Sequence, residues 1–205
     1  MIESLDDLRA RALSCIDCDL CETRTNVVFG EGDPRSPLVL VGEGPGEEED
    51  KSGRPFVGRA GKLLDKAILE AGLTRDQVYI CNTVKCRAAD WSTGKPQNRA
   101  PLPAEVEACR QWLIPQLGLI QPWVILCIGA PSAKNLIKKD FKITQERGKY
   151  FRCDFAKVAM AALHPSYIIR QQRPGNDGGF SLLVDDIKLA WETASKLRDE
   201  KGEIR

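Results

Sequence analysis

The sequence predicts an α/β fold, with three αβα layers around a mostly parallel, four-stranded central sheet. Three observations carry that expectation. Short, continuous apolar runs (PLVLVG, QVYICN and WVILCIG) read as strands buried on both faces. Segments of helical period alternate with them, as in parallel β-α-β architectures. Polar constellations follow the strand ends, where open α/β sheets bind their ligands.

Taken in order, Leu5 to Leu13 reads as a short amphipathic helix that runs into Cys15-Ile16-Asp17-Cys18. Pro37 to Gly42 is the first buried strand, and it ends at the acidic loop GEGPGEEED, in which Glu47, Glu48 and Asp50 read as a solvated turn. Gly58 to Ala71 is a helix closed by Gly72, and Gln77 to Asn82 is the second strand. A polar loop spans Arg87 to Pro103. Pro103 then opens a helix to about Ile114. Trp123 to Gly129 is the third strand, and Pro131 opens another helix. Lys149 to Cys153 and Lys157 to Leu163 form a hairpin that feeds the last core strand, which ends in His164-Pro165-Ser166. A loop with Arg170, Arg173 and Gly178-Gly179 leads to a C-terminal helix, Leu182 to about Leu197, and a charged tail from about residue 198. With no internal repeat and no linker, residues 1–205 read as one domain, with an N-terminal segment, 1–25, packed on it.

Composition is globular, with 42% hydrophobic residues. No apolar run approaches the ~20 residues of a membrane span, and the N-terminus lacks a signal peptide's apolar stretch. The expectation is a monomer without a membrane partner, cytoplasmic, or nucleoid-associated in a prokaryote. The net charge of +1 carries no hint of nucleic acid. Between Lys134 and Arg152, however, Lys134, Lys138, Lys139, Lys142, Arg147, Lys149 and Arg152 face only Asp140 and Glu146. Such a segment could track phosphates, or it is simply a solvated helix-and-loop face.

Eight cysteines without a secretion signal point to ligation rather than disulfides. Cys15 and Cys18 have C-x-x-C spacing, Cys21 extends it, and Cys86 and Cys109 lie past the second strand and in the helix after the long loop. Two ligands from the N-terminal turn and two from elsewhere can close a thiolate site for Zn²⁺ or a [4Fe–4S] cluster. Spacing alone leaves Cys21 open as a ligand. Cys81, Cys127 and Cys153 read as small buried residues within strands.

GEGPGEEED with RPFVGRAG, then YICNTVKCR, PQNRAPLP and HPSYIIR, together resemble the family-4 uracil-DNA glycosylases over nearly the whole chain. The resemblance implies that family's fold and hydrolysis of the N-glycosidic bond of deoxyuracil in single- or double-stranded DNA. It also implies a structural [4Fe–4S] cluster on Cys15, Cys18, Cys86 and Cys109, and not on Cys21. Phe56 matches the residue stacking under the flipped base, and Asn82 the amide that reads uracil N3–H and O4. His164, the only histidine, matches the donor to O2. Glu43 matches a catalytic loop residue, while Gly44 stands where the better-known uracil glycosylases place a water-directing Asp. Glu49 matches the wall facing uracil C5, and Asn98 another lining position. Arg170 and Arg173 are the expected phosphate contacts, with Tyr167 or Arg170 as wedge.

Two alternatives accompany this reading. A related family traps DNA covalently through a histidine in the long loop, but the loop here, WSTGKPQNRAP, contains none. A non-catalytic iron–sulfur protein that binds nucleic acid would account for the cysteines and the basic segment, but not for the Glu43, Phe56, Asn82 and His164 set.

Overall fold

The apolar runs become the strands of one sheet in the computed structural model, which describes residues 4–200. The chain begins with α1 (Leu5–Leu13), α2 (Leu20–Thr23), β1 (Glu31–Gly32) and β2 (Leu38–Gly42). Next come α3 (Glu47–Ser52), α4 (Arg59–Glu70), β3 (Tyr79–Asn82), and a small hairpin of β4 (Ala89–Asp90) and β5 (Gln97–Asn98). The second half holds α5 (Pro103–Ile120), β6 (Val124–Ile128), α6 (Ala130–Leu136) and α7 (Ile143–Glu146). It closes with β7 (Phe151–Cys153), β8 (Ala156–Ala162), α8 (Pro165–Gln171) and α9 (Phe180–Glu200). The tail beyond Glu200, like residues 1–3, lies outside the described residues.

The main sheet runs β1-β3-β2-β6-β8-β7. Its four central strands, β3, β2, β6 and β8, are parallel, and the short β1 and β7 pair antiparallel at the two edges. Strand residues alternate between two cores, which is the period-2 rule applied to a sheet covered on both faces. Leu38, Leu40, Ile80, Leu126 and Met160 face a layer built from α4 and α9, with Leu64, Ile68, Leu183 and Ile187. Val39, Val41, Cys81, Ile125 and Cys127 face α5 and α6, with Leu113, Leu117 and Leu136. A further apolar cluster joins Leu8 and Ala12 of α1 to Cys109 and Trp112 of α5.

Several elements differ from the sequence expectation. The fifth helix does not stop before Pro115 but continues to Ile120. Leu117 and Ile120 are buried there, and each such side chain contributes ~1.5–3 kcal/mol, enough to offset proline's ~3 kcal/mol cost. The acidic turn is a helix, α3, capped at Gly46 and closed by left-handed Gly53. Asp50 in it is not solvated: it is 3% exposed and accepts hydrogen bonds from the backbone N–H of Thr25 and Asn26. The loop after His164 contains α8, with Pro165 at its first position.

The basic segment from Lys134 to Arg152 is not a free face throughout. Lys138 pairs with Glu146 at 2.5 Å. Arg147 donates to both carboxylate oxygens of Asp186 at 2.7 and 2.8 Å and to the Leu182 carbonyl oxygen at 2.9 Å. Asp186 is 2% exposed, so this fork is the partner that makes its burial tolerable. Arg147→Met is therefore expected to cost about 3–5 kcal/mol in a urea titration, the penalty of a buried charge left alone. A loss within ~0.5 kcal/mol would show that Asp186 is not held by this pair.

Candidate active site

Parallel pairing brings the candidate residues to one edge of the sheet. Gly42 lies in register beside Asn82, so the Glu43-Gly44 turn after β2 and the last side chain of β3 start from adjacent positions. The chain reverses its direction of strand addition after β3, passing from one side of β2 to β6 on the other. A crevice forms at such a switch point. Here it is a cavity of about 400 Å³ whose walls include Glu43, Gly44, Glu49, Phe56, Asn82, Asn98 and His164. That volume is in the range of small-ligand sites. Of the four polar segments that follow the strands, the GEGPGEEED loop, Asn82 and the His164-Pro165-Ser166 segment (through His164 and Ser166) thus line one pocket. The fourth, Gly129, sits behind His164, where a Cβ would come within 3.0 Å of His164 Cβ.

Phe56 is 6% exposed and has a left-handed backbone, φ 51°. Such a conformation in a bulky residue must be imposed by its surroundings. Gly61 permits it, since a Cβ there would lie 2.0 Å from the Phe56 carbonyl carbon and oxygen. Arg75 secures it by donating to the carbonyl oxygens of Phe56, at 3.3 Å, and Pro55. Glu31 and Asp65 in turn fix the Arg75 guanidinium at 2.7 and 2.5 Å. Gly42 is the third requirement: a Cβ there would lie 2.3 Å from Asn82 Oδ1 and 2.5 Å from Phe56 Cζ. In the sequence Gly42 is simply the end of a strand; only its register with Asn82 reveals its role in the site.

Glu49 lines the pocket but spends its carboxylate on the backbone. Oε1 accepts from the N–H groups of Val57 and Gly58, both at 2.8 Å, and Oε2 from Gly46 N–H at 3.1 Å. It therefore ties the Gly44–Gly46 turn to the segment that follows Phe56. Asn98 reaches the pocket from β5, with Oδ1 held by Arg87 Nε at 2.7 Å.

Asn82 is 1% exposed, and its Oδ1 is buried without a hydrogen-bond partner. An acceptor left in that state costs ~1–3 kcal/mol, so the pocket floor calls for a donor. His164 supplies the complementary group. Its Nδ1 accepts the Ser166 backbone N–H at 3.1 Å, which places the neutral ring's proton on Nε2. Burial, assisted by the positive charge of Arg170, pushes its pKa down to about 4, so near pH 7 the ring is a neutral donor. Its centroid lies 6.1 Å from that of Phe56, with the rings tilted by 36°. Glu43 is half-buried, its carboxylate is without a hydrogen bond or ion pair among the described residues, and burial raises its pKa. Arg170 and Arg173 lie outside the pocket wall and are exposed; Arg173 folds back onto the carbonyl oxygens of Arg170 and Gln172 at 2.9 and 2.7 Å.

A second cavity is lined by Cys15, Cys18, Cys86 and Cys109, and Cys21 is outside it. None of the eight cysteines forms a disulfide. Three of the four sulfurs already receive N–H donors: Trp112 Nε1 to Cys15 at 3.2 Å, Arg24 to Cys86 at 3.5 Å, and the Lys85 backbone N–H to Cys109 at 3.2 Å. Burial pushes the Cys86 thiol up to about 11, so its thiolate forms only against a compensating cation. No three His, Cys, Asp or Glu side chains among the described residues are gathered as for a single metal ion. No helix among the described residues is long and apolar enough to cross a membrane.

Residues 29–188 match the family described as the uracil DNA glycosylase superfamily. The type-4 uracil-DNA glycosylase of Thermotoga maritima is 44% identical, over 83% of this chain and 85% of that one. The chain belongs to the type-4 uracil-DNA glycosylases. Those of Sulfurisphaera tokodaii (45% identical, over 94% of this chain and 86% of that one) and Archaeoglobus fulgidus (42%, over 82% and 84%) agree. The superfamily match contains every pocket residue of this glycosylase, together with Cys86 and Cys109.

Because His164 is the lone histidine, its titration is open to direct measurement. Its folded pKa of about 4 lies below the ordinary 6.5, so the unfolded chain binds the extra proton between those values. Stability should therefore fall as pH drops from 6.5 towards 4, and the His164 ring resonance should titrate near 4 by NMR. A midpoint at its ordinary value would contradict the buried, neutral ring.

Proposed function

We propose that this chain is a monofunctional glycosylase that accepts deoxyuracil flipped out of DNA and hydrolyses its N-glycosidic bond, leaving an abasic site. The observation that carries this reading is the unpartnered Asn82 Oδ1 in a cavity of about 400 Å³, which has room for a nucleobase. Uracil N3–H is a donor for it, and the Asn82 amide N–H₂ can donate to O4. Cytosine presents the reverse pattern and would leave polar groups unpaired, a mismatch worth ~10⁴-fold or more in a closed site. Unstacking the nucleotide costs a few kcal/mol, repaid by these contacts and by phosphate contacts.

Phe56 supplies the flat face on which the base stacks. As the glycosidic bond breaks, electron density moves onto the uracil ring and the sugar becomes oxocarbenium-like. The Nε2–H of neutral His164 donates to O2, where the charge develops; one such donor is typically worth ~3–4 kcal/mol in the transition state. Glu43, with its raised pKa, orients the water that attacks C1′ and accepts its proton. Gly44 cannot take that role, and a larger residue is barred there because a Cβ would lie 2.7 Å from Val84 Cγ2. Glu49 and Asn98 form the wall beside C5, where thymine carries its methyl group. Among the described residues no lysine lines the cavity, which supports hydrolysis over a Schiff-base lyase. The covalent-trap alternative is disfavoured because the long loop contains no histidine; the one histidine, His164, follows β8.

Cys15, Cys18, Cys86 and Cys109 line one cavity, a four-thiolate donor set that fits a [4Fe–4S] cluster, and membership of the type-4 family favours the cluster over Zn²⁺. The cluster would act as a structural staple between the N-terminal segment and α5. Arg170 and Arg173, with exposed Arg59 at the pocket wall, provide the charge for phosphate contacts on single- or double-stranded DNA. The enzyme acts as one domain and as a monomer, in the cytoplasm or at the nucleoid.

A labelled oligonucleotide with one deoxyuracil tests the reading. Strand breaks are expected only at uracil and only after alkali, with none at thymine or cytosine; an inert but folded, brown protein would overturn it. Gly42→Ala should lower single-turnover excision by about 100-fold through displacement of Asn82 and Phe56, and His164→Ala by about 10²–10³-fold. Cys86→Ala should bleach the cluster absorbance and destabilise the fold, whereas a stable, coloured variant would remove Cys86 from the ligand set.

A further inference from the structure

Lys85 is 1% exposed, and no carboxylate pairs with it among the described residues. Its Nζ donates to the backbone carbonyl oxygen of Asn82 at 2.9 Å and to Gln116 Oε1 at 2.5 Å, and lies 5.6 Å from the Phe29 ring centroid. Gln116 is itself fixed, donating to Phe29 O and Tyr79 Oη, both at 3.0 Å. An ammonium buried among neutral groups costs several kcal/mol unless negative charge lies nearby. Lys85 lines the cysteine cavity, its backbone N–H donates to Cys109 Sγ, and the next residue is Cys86.

The same short segment controls the pocket. Thr83 donates to the Gly42 carbonyl oxygen through both its backbone N–H (2.9 Å) and its hydroxyl (3.0 Å). Val84 N–H donates to the Glu43 carbonyl oxygen at 3.0 Å, and the Lys85 carbonyl oxygen accepts from Val28 N–H at 2.7 Å. From Asn82 to Cys86, then, the chain passes in consecutive residues from the base-reading amide to a sulfur of the second cavity.

We propose that Lys85 is the counter-charge of the cysteine-held cluster and the positioning residue through which that cluster sets the placement of Asn82. The proposal rests on the cluster and base-reading roles given above. Thiolate ligation leaves an iron–sulfur core with net negative charge, which offsets the buried ammonium. The ammonium in turn grips the carbonyl group of Asn82. Lys85 touches no reacting atom; it acts through the strand end that carries the amide.

The experiment compares the wild-type holoprotein with Lys85→Met, which keeps the side chain's length and removes its charge and donors. Iron content and excision in the wild type are measured first; failure of either would fault the underlying roles, not the link between them. Lys85→Met is then expected to retain iron, to shift the cluster's reduction midpoint to a more negative potential, and to weaken inhibition by free uracil by about 10-fold. Its affinity for abasic DNA should not change. A wild-type midpoint potential would overturn the counter-charge role, and wild-type uracil inhibition would overturn the positioning role. If Lys85→Met is not recovered folded, Lys85→Arg carries the test. It keeps the charge but misplaces the donors, so the midpoint should hold while uracil inhibition weakens; a shifted midpoint or unaltered inhibition would overturn the proposal.

Discussion

The candidate site depends on the parallel pairing of β2 with β3, which sets Gly42 beside Asn82. From that register the backbone after β2 turns into the pocket while the last side chain of β3 enters it from the neighbouring strand. The absence of a side chain at Gly42 then leaves the volume in which Phe56 and Asn82 approach each other. A slip of one residue would turn every strand side chain to the opposite face and replace Asn82 with an apolar or hydroxyl group. The two cores, which alternate along these strands, make such a slip too costly to occur.

Around that register the pocket is held rigid by polar groups whose capacity is spent on the protein itself. Glu49 gives its carboxylate to three backbone N–H groups, Arg75 gives its guanidinium to two carbonyl oxygens and two carboxylates, and Asn98 is held by Arg87. Among the described residues, Asn82 Oδ1, the Nε2 edge of His164 and the Glu43 carboxylate are left without such partners. Preorganisation of this kind means that little reorganisation is needed when the base enters.

Much of this was legible in the sequence because strand ends and turn residues are local signals. PLVLVG, QVYICN and WVILCIG announced buried strands, and the polar residues after them marked one edge of the sheet. The C-x-x-C spacing anticipated a thiolate site and left Cys21 open, and the family resemblance picked out the four cysteines whose side chains line one cavity. What stayed hidden depended on tertiary contact. Asp50 looked solvated because its partners, Thr25 and Asn26, are distant in sequence. The run of α5 through Pro115 followed from burial of Leu117 and Ile120, which outweighs a local breaker signal. Arg75 and Lys85 carried no motif, and their importance comes from the carbonyl groups they reach.

The cap of α8 has a consequence for a protein whose partner is a polyanion. A carboxylate beside Nδ1 would accept a hydrogen bond from that nitrogen and leave Nε2 of the neutral ring as an acceptor, the wrong tautomer for a donor to O2. Here a main-chain amide, that of Ser166, makes the choice. The ring is thus oriented by a neutral group, and no additional anion is placed where a phosphodiester backbone has to draw close. Helix geometry thus selects the Nε2–H tautomer without an acid, and spares the electrostatic repulsion an acid would bring to the approach of DNA.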